Sequence, residues 1–579
     1  MKKNLGIALF VLLVTIPVIV PFFHSGYFPT HDGEWAVVRL ADMFRSLRDF
    51  QIPVRYSGAL NFGYGYPLFN FAYPLPYYLG TLIHFLGIGF IDTIKILFAG
   101  SVALSALFMF LASRSLWKNS WAGVASSILY VYFPYRMVDL YVRGSIGESL
   151  SFALFPLLFY LAIKLIEKPS YFLVLGIAVS LAGLVMTHNI MTVLFLPVWI
   201  VFIASKIIFD KKKDAAKSII ISIFLGIGIS AFFWIPAIFE KHLILLSQTP
   251  IADRSLYFVK LPQLLQGGGG YGVPTDPNGF GYQFGLPHLA ILFIAIFILL
   301  LAISRSRELA KFARITVLLI VVILFYILLL FKPSAFLWEN LPLLSEINYP
   351  WTALGILGFL TSLLAGFLCM QKYTRYIVFL LALAAVALVL PYAKPQYFVN
   401  RGDDFYLTNE ATTTSSDELM PLWVKEKPTE RFAEKVEIVE GVGAVSNVYY
   451  NSKEITFDVL TEENMTVRVN TIYYPGWNAI IYAPACHPEL ARLAAKRVSG
   501  SFLRFFGFQP QNDNECGGKE LAIDYSNNKG VMDLQIPSGE NKVELKFSET
   551  PLRIFADFIT LTSFLVLLLL GFRVFLRRS

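Results

Sequence analysis

Charged residues are scarce in this chain, and their scarcity excludes most classes of soluble protein. Asp, Glu, Lys and Arg together make up 15% of the 579 residues, whereas a soluble globular protein carries roughly 25%. Hydrophobic residues reach 56%, and the mean hydropathy is +0.60. A cytosolic enzyme could not keep so apolar a chain in solution, and a disordered chain is far more polar. The composition therefore predicts a polytopic membrane protein.

Cysteine and the common catalytic motifs are also nearly absent. Three cysteines in a chain of this length cannot build a disulfide framework. The sequence holds no Ser/His/Asp elbow, no HExxH motif and no P-loop. The glycine run at residues 266–272 is flexible enough to approach a ligand, but it lacks the Lys-Ser/Thr pair of a nucleotide-binding loop.

Long apolar runs dominate the chain instead. A helix that crosses a bilayer needs about 20 apolar residues, and we predict about twelve such spans. They lie near residues 5–23, 93–113, 121–138, 149–166, 170–187, 190–206, 217–236, 287–304, 313–331, 350–370, 374–391 and 555–572. The run from Tyr73 to Phe90 has prolines or glycines near both ends, so we predict a juxtamembrane or re-entrant segment there. No small-residue cleavage site follows the first run, and we expect it to be retained as a span rather than removed as a signal peptide.

The short basic loops predict the orientation of these spans. With a cytoplasmic N-terminus, every short basic loop falls on the cytoplasmic side, as the positive-inside rule requires. These loops are residues 114–120, 164–170, 206–217, 305–314 and 371–375, and the C-terminal tail adds Arg573, Arg577 and Arg578. We therefore predict a multi-pass protein of the plasma membrane with both termini in the cytoplasm. The net charge of +8 is then an orientation signal, and we predict no nucleic-acid partner.

The hydrophilic parts of the chain define its domains. We predict a membrane domain over residues 1–391 with a large first external loop over 24–92, an extracytoplasmic domain over 392–554, and a last span with a basic tail over 555–579. The extracytoplasmic block alternates apolar and polar residues with period two between turn signals, which predicts a β-sandwich-like domain. It also contains Cys486 and Cys516, for which we favour a disulfide, because Cys486-His487 fits no zinc-site spacing.

The first external loop opens with two acidic residues that could carry chemistry. Asp32 and Glu34 lie two residues apart, directly after the first span. Such a pair can share a divalent metal such as Mg²⁺ or Mn²⁺, or divide the roles of general base and orienting group. The structural alternative is that Asp32 caps a helix that runs through Phe44.

A second cluster of charges lies between the third and fourth spans. Arg136, Asp139, Arg143 and Glu148 stand at the mouths of two spans, where a charge is costly unless it is paired or functional. The two arginines could hold a phosphate. Alternatively, Arg136 pairs with Asp139 and Arg143 pairs with Glu148, and the pairs stabilise the interface between the helices.

His188, at the end of the fifth span, is a third candidate. An ionisable residue at the external mouth of a helix is a functional candidate. A single histidine more often caps or packs against a helix, however, and the sequence leaves both readings open.

Taken together, these stretches resemble a known family. They resemble the class C fold (GT-C) of membrane glycosyltransferases, and in particular the membrane proteins termed 6-pyruvoyl-tetrahydropterin synthase-related and the YfhO-type proteins. The resemblance is carried by His31-Asp32-Gly33-Glu34, Asp139-Leu140-Tyr141-Val142-Arg143-Gly144 with Glu148, Thr187-His188-Asn189, Tyr349-Pro350-Trp351, and Tyr474-Pro475-Gly476-Trp477. Thr352 follows Trp351 where the resemblance leads us to expect arginine. The chain has no zinc-binding histidine triad of a soluble pterin synthase, so the family name implies no pterin chemistry.

The resemblance implies an all-α, GT-C-like membrane domain that works as an inverting glycosyltransferase. It would transfer a sugar from a polyprenyl-phosphate donor, seated among membrane lipid, to an extracytoplasmic acceptor such as an envelope glycan, a glycolipid or a glycoprotein. Asp32 would be the catalytic base, and Glu34 its orienting or metal-binding partner. The residues implied to contact substrate are Arg136, Asp139, Arg143, Glu148, His188, Tyr349 and Trp351.

Two other classes of function stay open. A transporter or flippase of a lipid-linked saccharide would have polar residues at mid-membrane depth and broken helices, whereas the charges here crowd the external mouths. A non-catalytic protein of envelope assembly would use the β domain to bind a glycan or a partner. The discriminating observation is whether Asp32, Glu34, Arg143, Glu148 and His188 line one site.

Overall fold

A computed structural model of the protein describes residues 2–265, 281–302, 307–408, 411–482 and 518–576. The glycine run at 266–272 and the predicted disulfide between Cys486 and Cys516 lie outside these residues.

Helices make up most of the described chain. The α-helices are α1 (Lys2–Ile19), α2 (Gly33–Arg48), α3 (Leu68–Phe71), α4 (Leu75–His84), α5 (Phe90–Trp117), α6 (Ser120–Val131), α7 (Pro134–Val138), α8 (Ile146–Glu167), α9 (Tyr171–Thr187), α10 (Asn189–Phe209), α11 (Asp214–Ile229), α12 (Ala231–Phe239), α13 (Leu261–Leu265), α14 (Leu286–Ala302), α15 (Arg307–Leu329), α16 (Ala335–Asn340), α17 (Ala353–Leu368), α18 (Lys372–Val389), α19 (Asp403–Leu407) and α20 (Pro551–Leu576).

The long apolar helices coincide with predicted spans. Within the described residues, eight helices are long and apolar enough to cross a membrane, and α11 with α12, which meet at a bend of 67°, would make a ninth span. Helices α6, α9 and α14 match three further predicted spans but are shorter. The prediction of about twelve spans is therefore higher than the count that helix length and composition support. The predicted class, a polytopic helical membrane domain with a β domain, is confirmed.

The segment from Tyr73 to Phe90 is too short to span a bilayer, as predicted. Its helix α4 has 10 residues, which at 1.5 Å per residue is about half of the roughly 30 Å hydrocarbon core. Helix α4 packs against α2 and α5. The first external loop is thereby folded onto the end of the helical bundle.

Helix α17 is the central helix of the bundle, and each of its residues is buried. Small residues on it let neighbouring side chains approach closely. A Cβ at Gly358 would stand 2.6 Å from the Phe133 ring, and one at Gly366 would collide with Trp117. Membrane helices gain their packing contacts in this way, because lipid offers no hydrophobic drive for association.

Basic loops that the sequence predicts to be cytoplasmic meet at one end of the bundle. Lys118 pairs with Glu167 across two of these loops, and Arg314 lies over the ring of Phe209. Helix α8 runs from Glu148 at one end of the bundle to Glu167 at the other. The acidic and basic residues singled out in the sequence therefore lie at the end opposite these loops.

The C-terminal β domain consists of two antiparallel sheets. Its strands are β1 (Val436–Glu440), β2 (Gly443–Tyr450), β3 (Glu454–Thr461), β4 (Met465–Ile472), β5 (Trp477–Tyr482), β6 (Lys519–Leu521), β7 (Ile523–Asp524), β8 (Val531–Ile536) and β9 (Gly539–Phe547). One sheet has the order β1-β4-β8-β7 and the other the order β2-β3-β9-β5-β6. Buried apolar residues alternate along β3 and β5, which is the period-two pattern that predicted strands.

The β domain docks on the first external loop through hydrogen bonds to backbone carbonyls. The Ile472 N–H donates to the Tyr64 carbonyl at 2.9 Å, and the Tyr56 hydroxyl donates to the Ile472 carbonyl at 2.7 Å. The Lys435 ammonium donates to the Gly63 carbonyl at 2.9 Å. These bonds hold the β domain over the end of the bundle that carries the candidate residues.

A buried ion pair fixes the last helix to the rest of the membrane domain. Arg553, in the first turn of α20, pairs with Glu240 at 2.8 Å. Glu240 also accepts hydrogen bonds from Asn70 at 2.7 Å and from the Tyr474 hydroxyl at 3.0 Å. Because its oxygens are satisfied, this pair can be buried without leaving an uncompensated charge.

Candidate functional site

Asp32 stands at the N-cap position of α2 without capping it. The helix begins at Gly33, and its first N–H donates to the Thr30 hydroxyl at 2.9 Å, while the Asp32 side chain makes no capping hydrogen bond. Asp32 therefore occupies the N-cap position, as the helix-cap interpretation predicted, but its carboxylate makes no hydrogen bond to the helix. It lies half-buried at the N-terminus of the helix, which is the positive end of the helix dipole.

Two backbone hydrogen bonds hold this loop against the turn after α7. The His31 N–H donates to the Val142 carbonyl at 3.0 Å, and the Asp32 N–H donates to the Arg143 carbonyl at 2.8 Å. Asp32 and Arg143 are 111 positions apart in the sequence, and these bonds make them neighbours. Burial lowers the pKa of His31, so its imidazole is mainly neutral at pH 7.

The turn that carries Arg143 depends on glycine. Asp139–Arg143 is a single π-helical turn that ends at Gly144, whose φ is +65°. A Cβ on Gly144 would collide with the Thr30 hydroxyl and stand 2.8 Å from the Gly33 nitrogen. Only a residue without a side chain lets the two segments touch here. Such π-helical turns occur often at functional sites.

The guanidinium of Arg143 is fixed on several sides. Its Nη1 pairs with Glu148 and donates to the Tyr135 hydroxyl at 3.0 Å, and that hydroxyl donates to Glu148 at 2.7 Å. The guanidinium lies 4.7 Å over the Trp351 ring and interacts electrostatically with Asp32. Within the described chain its hydrogen bonds use Nη1, so Nε and Nη2 keep N–H groups that an anion could accept.

Arg136 and Asp139 form the other predicted ion pair, inside the bundle. Arg136 donates to the Ser149 carbonyl at 3.1 Å and to the Ser101 hydroxyl at 3.0 Å, and it lies 4.4 Å over the Phe152 ring. Asp139 lies 3.8 Å from Arg136 and accepts from the Ser149 hydroxyl at 2.5 Å. Both side chains are fully buried. They hold the turn in position and do not face the surface that Asp32 and Arg143 share.

His188 caps helix α10, which is the structural interpretation of this residue given above. Its Nδ1 accepts the Met191 N–H at 3.3 Å, and its ring lies 5.3 Å from that of Tyr73. Burial, with a smaller effect of Arg143, lowers the pKa of His188 to about 3. The imidazole is therefore neutral at physiological pH and stands close to the Arg143 cation.

Glu34 turns toward a different part of the chain from Asp32. Its carboxylate accepts from the Tyr406 hydroxyl at 3.2 Å and lies 3.5 Å from Arg401. Within the described residues, no group of three or more His, Cys, Asp or Glu side chains could hold a metal ion. The metal site predicted at Asp32 and Glu34 stays a prediction.

Sequence reasoning missed two residues near Asp32 and a third that contacts one of them. Tyr73, just before α4, and Tyr77, on α4, interact electrostatically with Asp32. Tyr77 also hydrogen-bonds Arg39, two helical turns after Asp32. The available signal was the tyrosine- and proline-rich stretch around Tyr73 in the predicted re-entrant segment.

A group of aromatic side chains surrounds Trp351, over whose ring the Arg143 guanidinium lies. The Trp351 ring lies 5.3 Å from Tyr349, 5.9 Å from Tyr282 and 6.0 Å from Tyr135. Tyr257 packs edge-on against Tyr349 at 4.9 Å. Tyrosine and tryptophan suit a membrane interface because each has an apolar ring and a polar edge.

Four of the five residues in the discriminating set come together, namely Asp32, Arg143, Glu148 and His188, while Glu34 lies to one side. The arrangement joins a half-buried carboxylate, a fixed guanidinium with free N–H groups, two neutral imidazoles and a group of aromatic side chains. A carboxylate of this kind can accept a proton, and such a guanidinium can bind a phosphate.

Comparison with known proteins gives one family match. The sequence profile of the 6-pyruvoyl-tetrahydropterin synthase related domain, described as a membrane protein, matches residues 69–398. An uncharacterized protein of Lactococcus lactis subsp. cremoris (strain MG1363) is 25% identical over 245 residues. That match spans 41% of this chain and 40% of the relative, so the chain covers less than half of the relative's length.

Two solved structures of one archaeal enzyme are similar in part. One is the oligosaccharyltransferase AglB of Archaeoglobus fulgidus in complex with an inhibitory peptide and a dolichol-phosphate, with 12% identity, a TM-score of 0.41, and coverage of 70% of this chain and 56% of that one. The other is the Archaeoglobus fulgidus oligosaccharyltransferase in the apo form, with 13% identity, a TM-score of 0.40, and coverage of 72% and 61%.

Proposed function

This chain belongs to the membrane family termed 6-pyruvoyl-tetrahydropterin synthase related, and we propose that it is an integral-membrane glycosyltransferase. Its donor is a sugar linked to a polyprenyl phosphate. Its acceptor is a hydroxyl of an extracytoplasmic glycan, glycolipid or glycoprotein.

One observation carries this proposal, namely the placement of the Asp32 carboxylate beside Arg143. The helix does not use that carboxylate, because Thr30 accepts the first N–H. The backbone bond from Asp32 to the Arg143 carbonyl, at 2.8 Å, makes the two residues neighbours, and their side chains interact electrostatically. A base and an anion-binding group are thus held side by side at the end of an apolar helical bundle.

The chemistry that fits this pair is a single displacement at the anomeric carbon. Asp32 takes the proton of the acceptor hydroxyl, the hydroxyl oxygen forms a bond to the anomeric carbon, and the bond from that carbon to the phosphate oxygen breaks. The polyprenyl phosphate leaves as an anion, which Arg143 stabilises through Nε and Nη2. The configuration inverts, and no second acid is needed, because the leaving group is already a stable anion.

The remaining residues position these two groups. Glu148 and Tyr135 fix the guanidinium of Arg143. Glu34 orients the start of α2 through Tyr406 and Arg401. The metal site predicted at Asp32 and Glu34 is untested, so Mg²⁺ and Mn²⁺ are variables of the assay.

The experiment is a transfer assay with purified protein in liposomes. Tritium-labelled glucose, galactose and mannose on polyprenyl phosphate serve as donors, and an envelope extract serves as acceptor, with and without Mg²⁺ or Mn²⁺. We expect Asp32→Asn to lower turnover about 10²–10⁴-fold, the usual loss of a general base. Its stability should change by less than about 0.5 kcal/mol, because no capping bond is lost.

The matched control is Asp92→Asn, a surface carboxylate at the start of α5 that pairs with Lys95. It should leave transfer at the wild-type rate. Folded Asp32→Asn protein that transfers sugar as fast as wild type would remove Asp32 as the base. Wild-type protein that moves labelled saccharide across the bilayer without transferring it would instead favour the transporter.

A further inference from the structure

A cavity of about 350 Å³ lies between helix α2 and the β domain, away from Asp32. It falls within the roughly 300–1,000 Å³ of small-molecule sites. Its lining includes Asp42, Arg45, Tyr56, Ser452, Thr471 and Trp477. Asp42 lies ten residues after Asp32 on the same helix, which is about 15 Å along its axis. The cavity is thus distinct from the surroundings of Arg143.

Four polar side chains that line this cavity have unmet hydrogen-bonding capacity. Both carboxylate oxygens of Asp42, the hydroxyls of Ser452 and Thr471, and the indole N–H of Trp477 have no partner among the described residues within hydrogen-bond geometry. All four residues are more than nine-tenths buried. The Asp42 carboxylate lies near the Ser57 hydroxyl and the Ala59 N–H, and the Trp477 indole lies near the Tyr56 hydroxyl, each outside that geometry. Unpartnered buried polar groups are costly for a fold, so a ligand that satisfies them has a physical reason to bind.

Three basic residues line the cavity, and each makes contacts within the chain. Arg431 donates to the Tyr450 hydroxyl at 3.5 Å and lies over the Phe432 ring. Lys435 donates to the carbonyls of Gly63 and Asn470 at 2.9 Å and 2.8 Å. Arg45 donates to the Leu407 carbonyl at 2.8 Å. These contacts use part of the donor capacity of the cations, and the anionic probes of the binding test below measure what the remaining donors can bind.

The chemistry of the unmet groups defines the class of ligand. Asp42 only accepts hydrogen bonds, the Trp477 indole only donates them, and the Ser452 and Thr471 hydroxyls do both. A phosphate or carboxylate ligand would only accept, and it would meet Asp42 with like charge. An ammonium ligand would only donate and would leave the indole unpaired. A hydroxyl both donates and accepts, so a ligand with several hydroxyls satisfies all four residues.

We propose that this cavity between α2 and the β domain binds a neutral saccharide. The rings of Trp477 and Tyr56 lie 5.6 Å apart, edge to face, and they supply the apolar surface that the C–H faces of a sugar ring need. This inference deepens the proposed function and rests on it only in one respect. If Asp32 transfers sugar, the cavity holds a distal unit of the acceptor glycan, whereas binding itself needs no transfer.

The test is direct binding to the full-length protein in lipid nanodiscs, followed by isothermal titration calorimetry. The probes are maltotriose, mannotriose and chitotriose, with inorganic phosphate and glucuronic acid as anionic comparisons. We expect at least one neutral trisaccharide to bind with a dissociation constant of about 1 mM or tighter. Asp42→Asn and Thr471→Val should each weaken that binding about tenfold or more, because each removes one partner of a buried hydrogen bond.

The control variant is Asp524→Asn, an exposed carboxylate on strand β7, which should bind as wild type does. Thr471→Val keeps the shape of the side chain, so it reports on binding even if Asp42→Asn protein does not fold. Three results would overturn the inference: no neutral trisaccharide binds at about 10 mM, the anionic probes bind in preference, or folded variants bind as wild type. No lipid-linked donor is present, so this test can fail while the transfer assay succeeds, and the reverse.

Discussion

Two aspartates, Asp32 at the start of helix α2 and Asp42 within it, have different surroundings and are suited to different roles. Asp32 is half-buried at the N-terminus of the helix and interacts with the Arg143 cation. Asp42 is buried, and burial raises the pKa of its carboxyl to about 6. The first is suited to accept a proton from a substrate, and the second to take part in hydrogen bonding inside a cavity.

Arg143 offers a test of anion binding at the level of one side chain. Arg143→Lys keeps the positive charge opposite Glu148 but loses the planar fork. We expect transfer to fall about tenfold to a hundredfold, mainly through weaker donor binding, with the protein still folded. Steady-state kinetics with the labelled donor would measure the rise in KM.

Arg468→Lys is the matched control for that substitution. Arg468 makes a two-bond pair with Asp533 in the β domain, with both distances 2.8 Å. The Arg468→Lys variant loses the same planar guanidinium, but far from Arg143, so the rate of sugar transfer should be unchanged. Equal kinetics of the Arg143→Lys and wild-type proteins would contradict a phosphate contact.

Asp42 also predicts an unusual dependence of stability on pH. Its pKa is raised from 3.8 to about 6 by burial, so its contribution to stability is present below pH 3.8 and is lost as the pH rises through 6. At pH 7 the ionised group destabilises the fold by about 2–3 kcal/mol. Asp42→Asn should therefore raise the unfolding temperature at pH 7 and have little effect at pH 4.

Thermal unfolding in nanodiscs at several pH values would measure this difference. Asp458→Asn, on strand β3, is the control and should follow the wild-type pH profile. An Asp42→Asn protein that is less stable than wild type at pH 7 would show that the ionised carboxylate stabilises the fold. A residue that lowers stability and yet binds a ligand is the usual signature of a functional site.

At the scale of elements, the site depends on two glycines that let a loop and a turn touch. Gly33 begins α2, and Gly144 ends the π-helical turn. Their backbones lie so close that the segments on either side exchange hydrogen bonds, from His31 to Val142 and from Asp32 to Arg143. The relative position of base and cation is therefore set by backbone packing rather than by the side chains themselves.

Gly144→Ala tests that dependence. The positive φ of +65° alone would cost about 1–2 kcal/mol for a residue with a side chain, and the added Cβ would push Thr30 and Gly33 away. We expect transfer to fall at least about tenfold, since a shift of about 1 Å in a reacting group can cost 10²-fold. The transfer assay and thermal unfolding would be measured together.

Gly87→Ala is the control that separates the backbone strain of a positive φ from the displacement of neighbouring residues by the added Cβ. Gly87 has a φ of +87°, and a Cβ there meets nothing within 4 Å. Gly87→Ala should lower the free energy of unfolding about as much as the backbone strain does in Gly144→Ala, and it should leave the rate of sugar transfer unchanged. If both variants transfer equally well, the close approach at Gly144 is not needed for function.

At the scale of the whole molecule, the β domain and the membrane domain form one arrangement around the first external loop. The loop is bonded to the β domain through Tyr56, Tyr64 and Gly63. The buried ion pair between Arg553 and Glu240 holds the last helix against the bundle, at the point where the chain leaves the β domain. The proposed active site lies between this loop and the bundle, and the saccharide cavity lies between helix α2 and the β domain.

The predicted orientation can be tested by cysteine labelling of intact cells. In a background with the three native cysteines replaced, a Cys at Val442, which is 86% exposed on the β domain, should react with a membrane-impermeant maleimide. A Cys at Lys212 should react only after the cells are permeabilised. Trp477 is a poorer position for such labelling because its side chain is buried.

The reverse pattern, with Lys212 labelled and Val442 protected, would contradict the orientation predicted from the basic loops. It would also put Asp32 and the cavity on the cytoplasmic side. Permeabilised cells serve as the control, because both positions should then react.

Composition and periodicity by themselves determined the class of this protein. Hydropathy predicted the helices, because each backbone group in lipid must be satisfied within its own helix. The period-two block predicted the β domain, and the short motifs around Asp32, Arg143 and His188 predicted the family that the profile confirms. Each predicted span coincides with a helix, but within the described residues α6, α9 and α14 are shorter than a full span, because an apolar run does not by itself state how long its helix is.

Tertiary structure alone decided which of the candidate residues meet. Arg136 and Arg143 look alike in sequence, yet one is enclosed by Ser149 and Ser101, and the other keeps N–H groups beside Asp32. The cavity at Asp42 was not predictable either, because its walls come from α2 and from β strands some 400 residues later. Local sequence fixes which faces are apolar, whereas contacts between distant segments depend on how whole elements pack.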